Sequence, residues 1–248
     1  MQRIIIESKV LDGIPMNEYY LENYDLKGLV FVQHGYQSNK NRGTDFMSIC
    51  LARLGYKVVS IDAYKHGERI EEPYISMKNY KRYAAVFNVV TKTAKDIIFI
   101  HDKYYSSKFE KYDFIGISMG GMIAFYLSTV TDKINKIVPA IGTPNFLGMT
   151  RHVVDIDDKE KYNQIVKNNL EFINQIDPIQ HVENMKYSKM FILNTTKDEI
   201  VPGKFSEKFY DEFKNERMKF AYYEDVHNVN RQMTNDILSF ICDKEVSI

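Results

Sequence analysis

The sequence predicts an α/β fold, with a mostly parallel sheet and helices on both faces. Three observations carry this. Six short apolar runs alternate with helical patterns along the chain, as strands joined by crossover helices do. The opening segment reads instead as a hairpin. Near the middle, Gly116-Ile117-Ser118-Met119-Gly120 stands where a strand passes into an apolar helix.

Taken in order, residues from about 2 to 22 alternate apolar and polar around Leu11-Asp12-Gly13-Ile14-Pro15, so the sheet begins with an antiparallel pair. The runs Leu29–Val32, Val58–Ile61, Phe114–Ile117, Ile137–Ala140, Met190–Leu193 and Phe220–Tyr223 follow. Continuous apolar runs of this length suit parallel strands buried on both faces. Helical patterns fill the gaps at about 43–55, 79–104, 119–131, 203–215 and 229–243. His101 falls in the second and is expected on a solvated face. The stretch from about 145 to 187 is longer than a crossover needs. In it Tyr162, Ile165, Val166, Leu170, Ile173 and Ile176 recur at helical spacing, which predicts an amphipathic helix. It is either a long packed crossover or a small helical cap insertion over the sheet's carboxyl edge, where open α/β sheets bind ligands. No repeat or Pro/Gly-rich linker divides residues 1–248, so one domain is expected.

Lys plus Arg and Asp plus Glu balance at 33 each with no basic run, so the electrostatic footprint of a nucleic-acid binder is missing. The first apolar run is too short for a signal peptide, and no segment approaches a membrane span. A cytoplasmic protein with no nucleic-acid or membrane partner is expected, and a homo-oligomer is left open. Cys50 and Cys242 lack metal-type spacing and are expected as reduced thiols, Cys50 packed inside a helix.

The chemistry centres on Ser118. A bare Gly-x-Ser-x-Gly arises by chance in roughly 3 per cent of chains of this composition, so its flanks decide the matter. Tyr112–Ile117 before it and Met122–Leu127 after it give strand, turn and helix, a nucleophile elbow that lifts a serine hydroxyl clear of the sheet. Such a serine needs a base, and the base needs an orienting acid. Of the six histidines, His227 alone combines a place after the serine with a place just past a strand. His152 and His181 lie in the candidate cap, where a substrate contact is the alternative reading. Asp198 follows the strand Met190–Leu193; Asp225 is too close in sequence to His227 to brace its ring, and Glu199 would point away from Asp198. The oxyanion donors are expected to be the backbone N–H groups of Met119 and Tyr36, the latter after a strand ending in His34-Gly35. His34, Gly35 and Tyr36 are accordingly expected to contact substrate.

Together these residues resemble those of α/β-hydrolases along nearly the whole chain. They are especially similar to small bacterial serine carboxylesterases related to the prolyl oligopeptidase and dienelactone hydrolase branches. The matching segments are His34-Gly35 with Lys40, Asp62 with His66-Gly67-Glu68-Arg69, Gly116–Gly121, Asp177-Pro178, Thr195–Pro202 and His227. The resemblance implies that the Asp62 to Arg69 loop is a structural anchor beside the site. One feature departs from the family: Asp225-Val226 stands where a glycine often precedes the histidine. Residues and resemblance agree on a serine hydrolase cleaving small or medium acyl esters through an acyl-enzyme, with neither metal nor organic cofactor. A thioesterase or peptidase on the same residues, or a non-catalytic ligand receptor on the same fold, are the alternatives.

Overall fold

The computed structural model describes residues 2–153 and 157–248. The hairpin forms where the alternation predicts it. β1 (Ile4–Leu11) and β2 (Ile14–Leu21) pair antiparallel, and Asp12 and Gly13 turn the chain with positive φ. The six apolar runs become β3 (Leu29–Gln33), β4 (Lys57–Ile61), β5 (Tyr112–Ile117), β6 (Ile134–Ala140), β7 (Lys189–Thr195) and β8 (Met218–Tyr223). One eight-stranded sheet results, in the order β1-β2-β4-β3-β5-β6-β7-β8. β2 pairs antiparallel with β4, and every pair beyond is parallel.

The helices are α1 (Asp45–Arg53), α2 (Glu72–Ile75), α3 (Asn79–Ala84), α4 (Val86–Ile100), α5 (Met119–Val130), α6 (Phe146–His152), α7 (Lys159–Asn168), α8 (Leu170–Ile176), α9 (Lys204–Phe213) and α10 (Arg231–Cys242). Successive strand residues point to opposite faces, so each apolar run feeds two cores. Val30, Val32, Ile115 and Leu193 pack against α1 and α10. Leu29, Phe31, Phe114 and Ile192 pack against α4, α5 and α9. Cys50 is buried in α1 and Cys242 is half-buried, both as free thiols.

Three helical expectations need correction. The pattern over 79–104 is broken at Ala85: α3 buries no side chain and instead meets α7, while α4 carries the buried stripe. At the other end α4 widens into a π-type turn, His101–Tyr105, and such a turn rotates the helix face. His101 is therefore fully buried, not solvated: Nε2 lies 2.9 Å from Phe109 O and the ring packs at a tilt against Tyr112, 4.7 Å between centroids.

Among the described residues the 145–187 stretch holds three short α-helices and two 3-10 turns. Its predicted amphipathic helix is split into α7 and α8 at Asn169, beside Asn168, and asparagine is a weak helix former. Residues 154–156 of this stretch lie outside the described residues. Asp177 ties the far end back to the start, accepting the Phe146 and Leu147 N–H groups at 2.8 and 2.9 Å where α6 begins.

Candidate active site

At the end of β5 the chain must turn at once into α5. Ser118 makes that turn at φ 57° and ψ −113°, a conformation that strains any residue with a side chain. The flanking glycines are required by space. A Cβ on Gly116 would sit 1.9 Å from Gly120 O, and one on Gly120 2.3 Å from Gln33 O. The strained residue is held by its neighbours, with Ser118 N–H donating to Ala140 O at 2.9 Å.

His227 reaches Ser118 from the loop after β8. Its Nε2 lies 2.7 Å from Ser118 Oγ, and its Nδ1 lies 2.7 Å from Asp198 Oδ2. An ionised carboxylate only accepts, so Nδ1 carries the proton and Nε2 of the neutral ring accepts from the serine hydroxyl. Asp198 itself is held from behind: its Oδ1 accepts the Ile200 and Val201 N–H groups at 2.9 and 2.8 Å. The histidine loop is pinned by Thr195 Oγ1, which donates to Val226 O at 2.7 Å. Asp225 folds onto its own loop, taking Val226 N–H at 2.8 Å and Asn230 Nδ2 at 3.2 Å. It does not reach the ring.

A cavity of about 240 Å³ opens beside Ser118 and His227. Tyr36, Tyr83, Phe87, Met122, Met149 and Tyr162 supply much of its wall, and among the described residues no Lys, Arg, Asp or Glu lines it. The Tyr36 ring is wedged between His66 and Tyr83, each 5.5 Å away between centroids. Burial pushes the Tyr36 hydroxyl pKa well up, so it stays protonated. Met119 opens α5, where an N–H has no acceptor within the helix.

The structure brings Ser118, Asp198, His227, Tyr36 and Met119 together. The expectation that His34 and Gly35 touch substrate is corrected. His34 is fully buried; its Nε2 accepts the Ala63 N–H at 3.0 Å and its Nδ1 donates to Gly35 O at 2.7 Å. Burial lowers its pKa to about 4, so the ring is a neutral brace joining the ends of β3 and β4. Gly35 lies against the back of Ser118, where a Cβ would come within 3.2 Å of the serine Cβ. His152 and His181 bond to backbone carbonyls of Glu199 and Asn174 and do not line the cavity. The Asp62 loop is an anchor: its carboxylate accepts the Lys40 and Glu68 N–H groups at 2.8 and 2.9 Å. Sequence reasoning missed Tyr83, Met149 and Phe87 as cavity wall, since a helical apolar stripe reads the same whether it faces core or cavity.

A family model described as the dienelactone hydrolase family matches residues 23–233. The chain belongs to the dienelactone hydrolase family. It is thus an enzyme of the hydrolase class, built on the α/β-hydrolase fold. This family member is 26% identical over 254 residues to the Bacillus subtilis (strain 168) protein named "Putative esterase YitV", covering 92% of the chain and 94% of that protein. Its fold is that of TT1662 from Thermus thermophilus (TM-score 0.72, 19% identity, 96% of this chain and 97% of that one). The Pyrococcus furiosus esterase Pf2001 is similar in fold too (TM-score 0.64, 15% identity, 98% and 91% covered). Among the described residues no helix is long and apolar enough to cross a membrane, and no group of three His, Cys, Asp or Glu could hold a metal ion.

Proposed function

We propose that this hydrolase cleaves small to medium, uncharged acyl esters through a serine acyl-enzyme. The observation that carries the reading is the pair of 2.7 Å hydrogen bonds linking Ser118, His227 and Asp198 at the wall of an apolar cavity. Ser118 is the nucleophile on its elbow, and the three side chains are a catalytic triad. As Ser118 Oγ attacks the ester carbonyl, its proton passes to His227 Nε2. Asp198 keeps the ring in the required tautomer and stabilises its charged form. The oxyanion falls to the N–H groups of Tyr36 and Met119. Charged His227 then protonates the departing alcohol. A water molecule gives its proton to the same nitrogen and attacks the acyl carbon; the bond to Ser118 Oγ then breaks as His227 returns the proton to it, and the acid leaves.

The substrate class follows from the wall. At about 240 Å³ the cavity lies below the ~300–1,000 Å³ usual for drug-sized ligands, which favours short acyl groups. A carboxylate on the acyl chain would enter without a cation to pair it, at a desolvation cost of several kcal/mol or more. Met149, Val153 and Tyr162 come from the 145–187 stretch, so we read that stretch as a small cap on a single domain.

A fluorophosphonate probe should label Ser118, and p-nitrophenyl esters graded by acyl length should be turned over. Ser118→Ala should lower kcat by about 10⁴ to 10⁶ with an unchanged fold by circular dichroism. Labelling of a different serine, or near wild-type turnover by the alanine variant, defeats the reading.

A further inference from the structure

β1 is an edge strand with a self-complementary face. Its eight residues pair with β2 without a bulge, and it holds no proline, two of the devices that usually blunt such an edge. Its hydrogen-bonding direction can be assigned. Glu22 N–H donates to Arg3 O at 3.0 Å, so Arg3 and Glu22 form a hydrogen-bonded pair of the antiparallel ladder. Such pairs alternate. Ile5, Glu7, Lys9 and Leu11 therefore turn their backbone groups toward β2, while Ile4, Ile6, Ser8 and Val10 turn theirs outward. On the sheet face where Ile4 meets the α1 core, Ile6 and Val10 are 53% and 58% exposed, and α1, which touches β1, leaves Phe46 64% exposed.

We propose that β1 pairs antiparallel with β1 of a second copy of this chain, about a two-fold axis at Ser8, joining two eight-stranded sheets. A two-fold there sets Ser8 opposite Ser8 with both outward N–H and C=O groups matched. Ile6 then faces Val10, Ile5 faces Leu11, and Glu7 faces Lys9, each pair occurring twice. Neighbouring registers fail on charge. An axis at residue 7 sets Glu7 against Glu7, and one at residue 9 sets Lys9 against Lys9, both unfavourable across a ladder. An axis at residue 6 or 10 shortens the overlap and leaves Glu7 opposite Ile5 or Lys9 opposite Leu11. Only the Ser8 register matches opposite charges and apolar residues along the whole strand. The two Phe46 side chains extend the apolar contact beside it.

Sedimentation velocity of the full chain between roughly 1 and 200 μM brackets the weak dimers that a small interface gives. The 29.1 kDa monomer should give way to a species of twice that mass. Ser8→Pro removes an outward N–H without taking a hydrogen bond from β2, and Glu7→Lys puts like charges opposite each other twice. Each should raise the dimer dissociation constant at least tenfold while the melting temperature stays close to wild type. If Ser8→Pro does not fold, Glu7→Lys alone decides. Hydrogen exchange should show Ile6, Ser8 and Val10 amides protected only in the dimer. A monomer at every concentration overturns the proposal, even if β1 can accept a strand from another protein. A dimer indifferent to both substitutions overturns it as well.

Discussion

Two aspartates are buried equally at opposite ends of the sheet, and they do different things. Asp113, near the amino end of β5, and Asp198, just past β7, are each 7% exposed. Each uses Oδ1 to accept two N–H groups: from Asn135 Nδ2 and Lys136 N at 2.8 and 2.9 Å for Asp113, from Ile200 and Val201 for Asp198. The difference lies in the other oxygen. Asp198 Oδ2 takes the proton-bearing nitrogen of His227, which stands beside a cavity. Among the described residues the hydrogen bonds of Asp113 fall on Oδ1, and its neighbour Lys136 closes the end of α10 by donating to Phe240 O, Ile241 O and Asp243. Burying a carboxylate is thus no sign of chemistry. What its remaining lone pairs meet is.

Exchanging each carboxylate for an amide separates the two. Asp198→Asn keeps the shape but offers Nδ1 a donor, which favours the wrong imidazole tautomer. It should lower kcat by about 10² to 10⁴, below or near the loss seen for that change in a serine protease. Asp113→Asn should leave kcat within roughly twofold, because no catalytic group touches it. Equal losses in the two variants would erase the distinction.

Asp113→Asn should instead be visible in stability. Burial pushes the Asp113 pKa up from 3.8 to about 6. A raised carboxyl pKa means that the folded state holds its proton where the unfolded chain has lost it. Stability from this group is full below about pH 4, declines as pH rises, and is lost above about pH 6. The amide that replaces the carboxylate keeps an oxygen to accept both N–H groups and does not titrate. Urea melts at pH 4 and pH 7 should therefore show the variant gaining about 2 kcal/mol on wild type as pH rises. A constant difference between the two proteins would contradict this.

The wall of the cavity gives a smaller effect. Phe87 lines the 240 Å³ cavity and also an outer groove of about 530 Å³ between α4 and the α7–α8 pair. Phe87→Ala should join the spaces and raise kcat/KM on long-chain relative to short-chain esters about tenfold. Since the truncation costs about 3 to 5 kcal/mol of stability, Phe87→Leu should show the same trend in a sturdier protein. An unchanged acyl-length profile in both rejects the divider role. Asp225→Asn should cost under roughly tenfold in kcat, through loop shape alone; a loss matching that of Asp198→Asn would mean the wrong acid was assigned.

Much of this was legible in the sequence, for reasons that are local. The proposed nucleophile, acid and base stand in that chain order, each just past an apolar run, at Ser118, Asp198 and His227. Gly116 and Gly120 announced a tight turn because their spacing about Ser118 is itself the turn's geometry. His34 and Asp62 were harder. Both stood in recognisable segments, but one proved a brace where a substrate contact was expected.

The sequence by itself determined the strands, their alternation with helices and the placing of Ser118, Asp198 and His227 just past strands, because these depend on neighbours a few residues apart. Tertiary structure decided which apolar side chains are core and which are cavity. Tyr162, Ile173 and Ile176 recur at one helical spacing in the sequence, yet they fall on α7 and α8, and among them only Tyr162 meets the space beside Ser118. It decided that His101 and His34 turn inward, because their partners Phe109 O and Ala63 N–H come from other segments. It also decided that β1 is an edge, and only then does the spacing of Glu7, Ser8 and Lys9 acquire meaning. Periodicity reports which face a residue occupies; what packs against that face comes from distant parts of the chain.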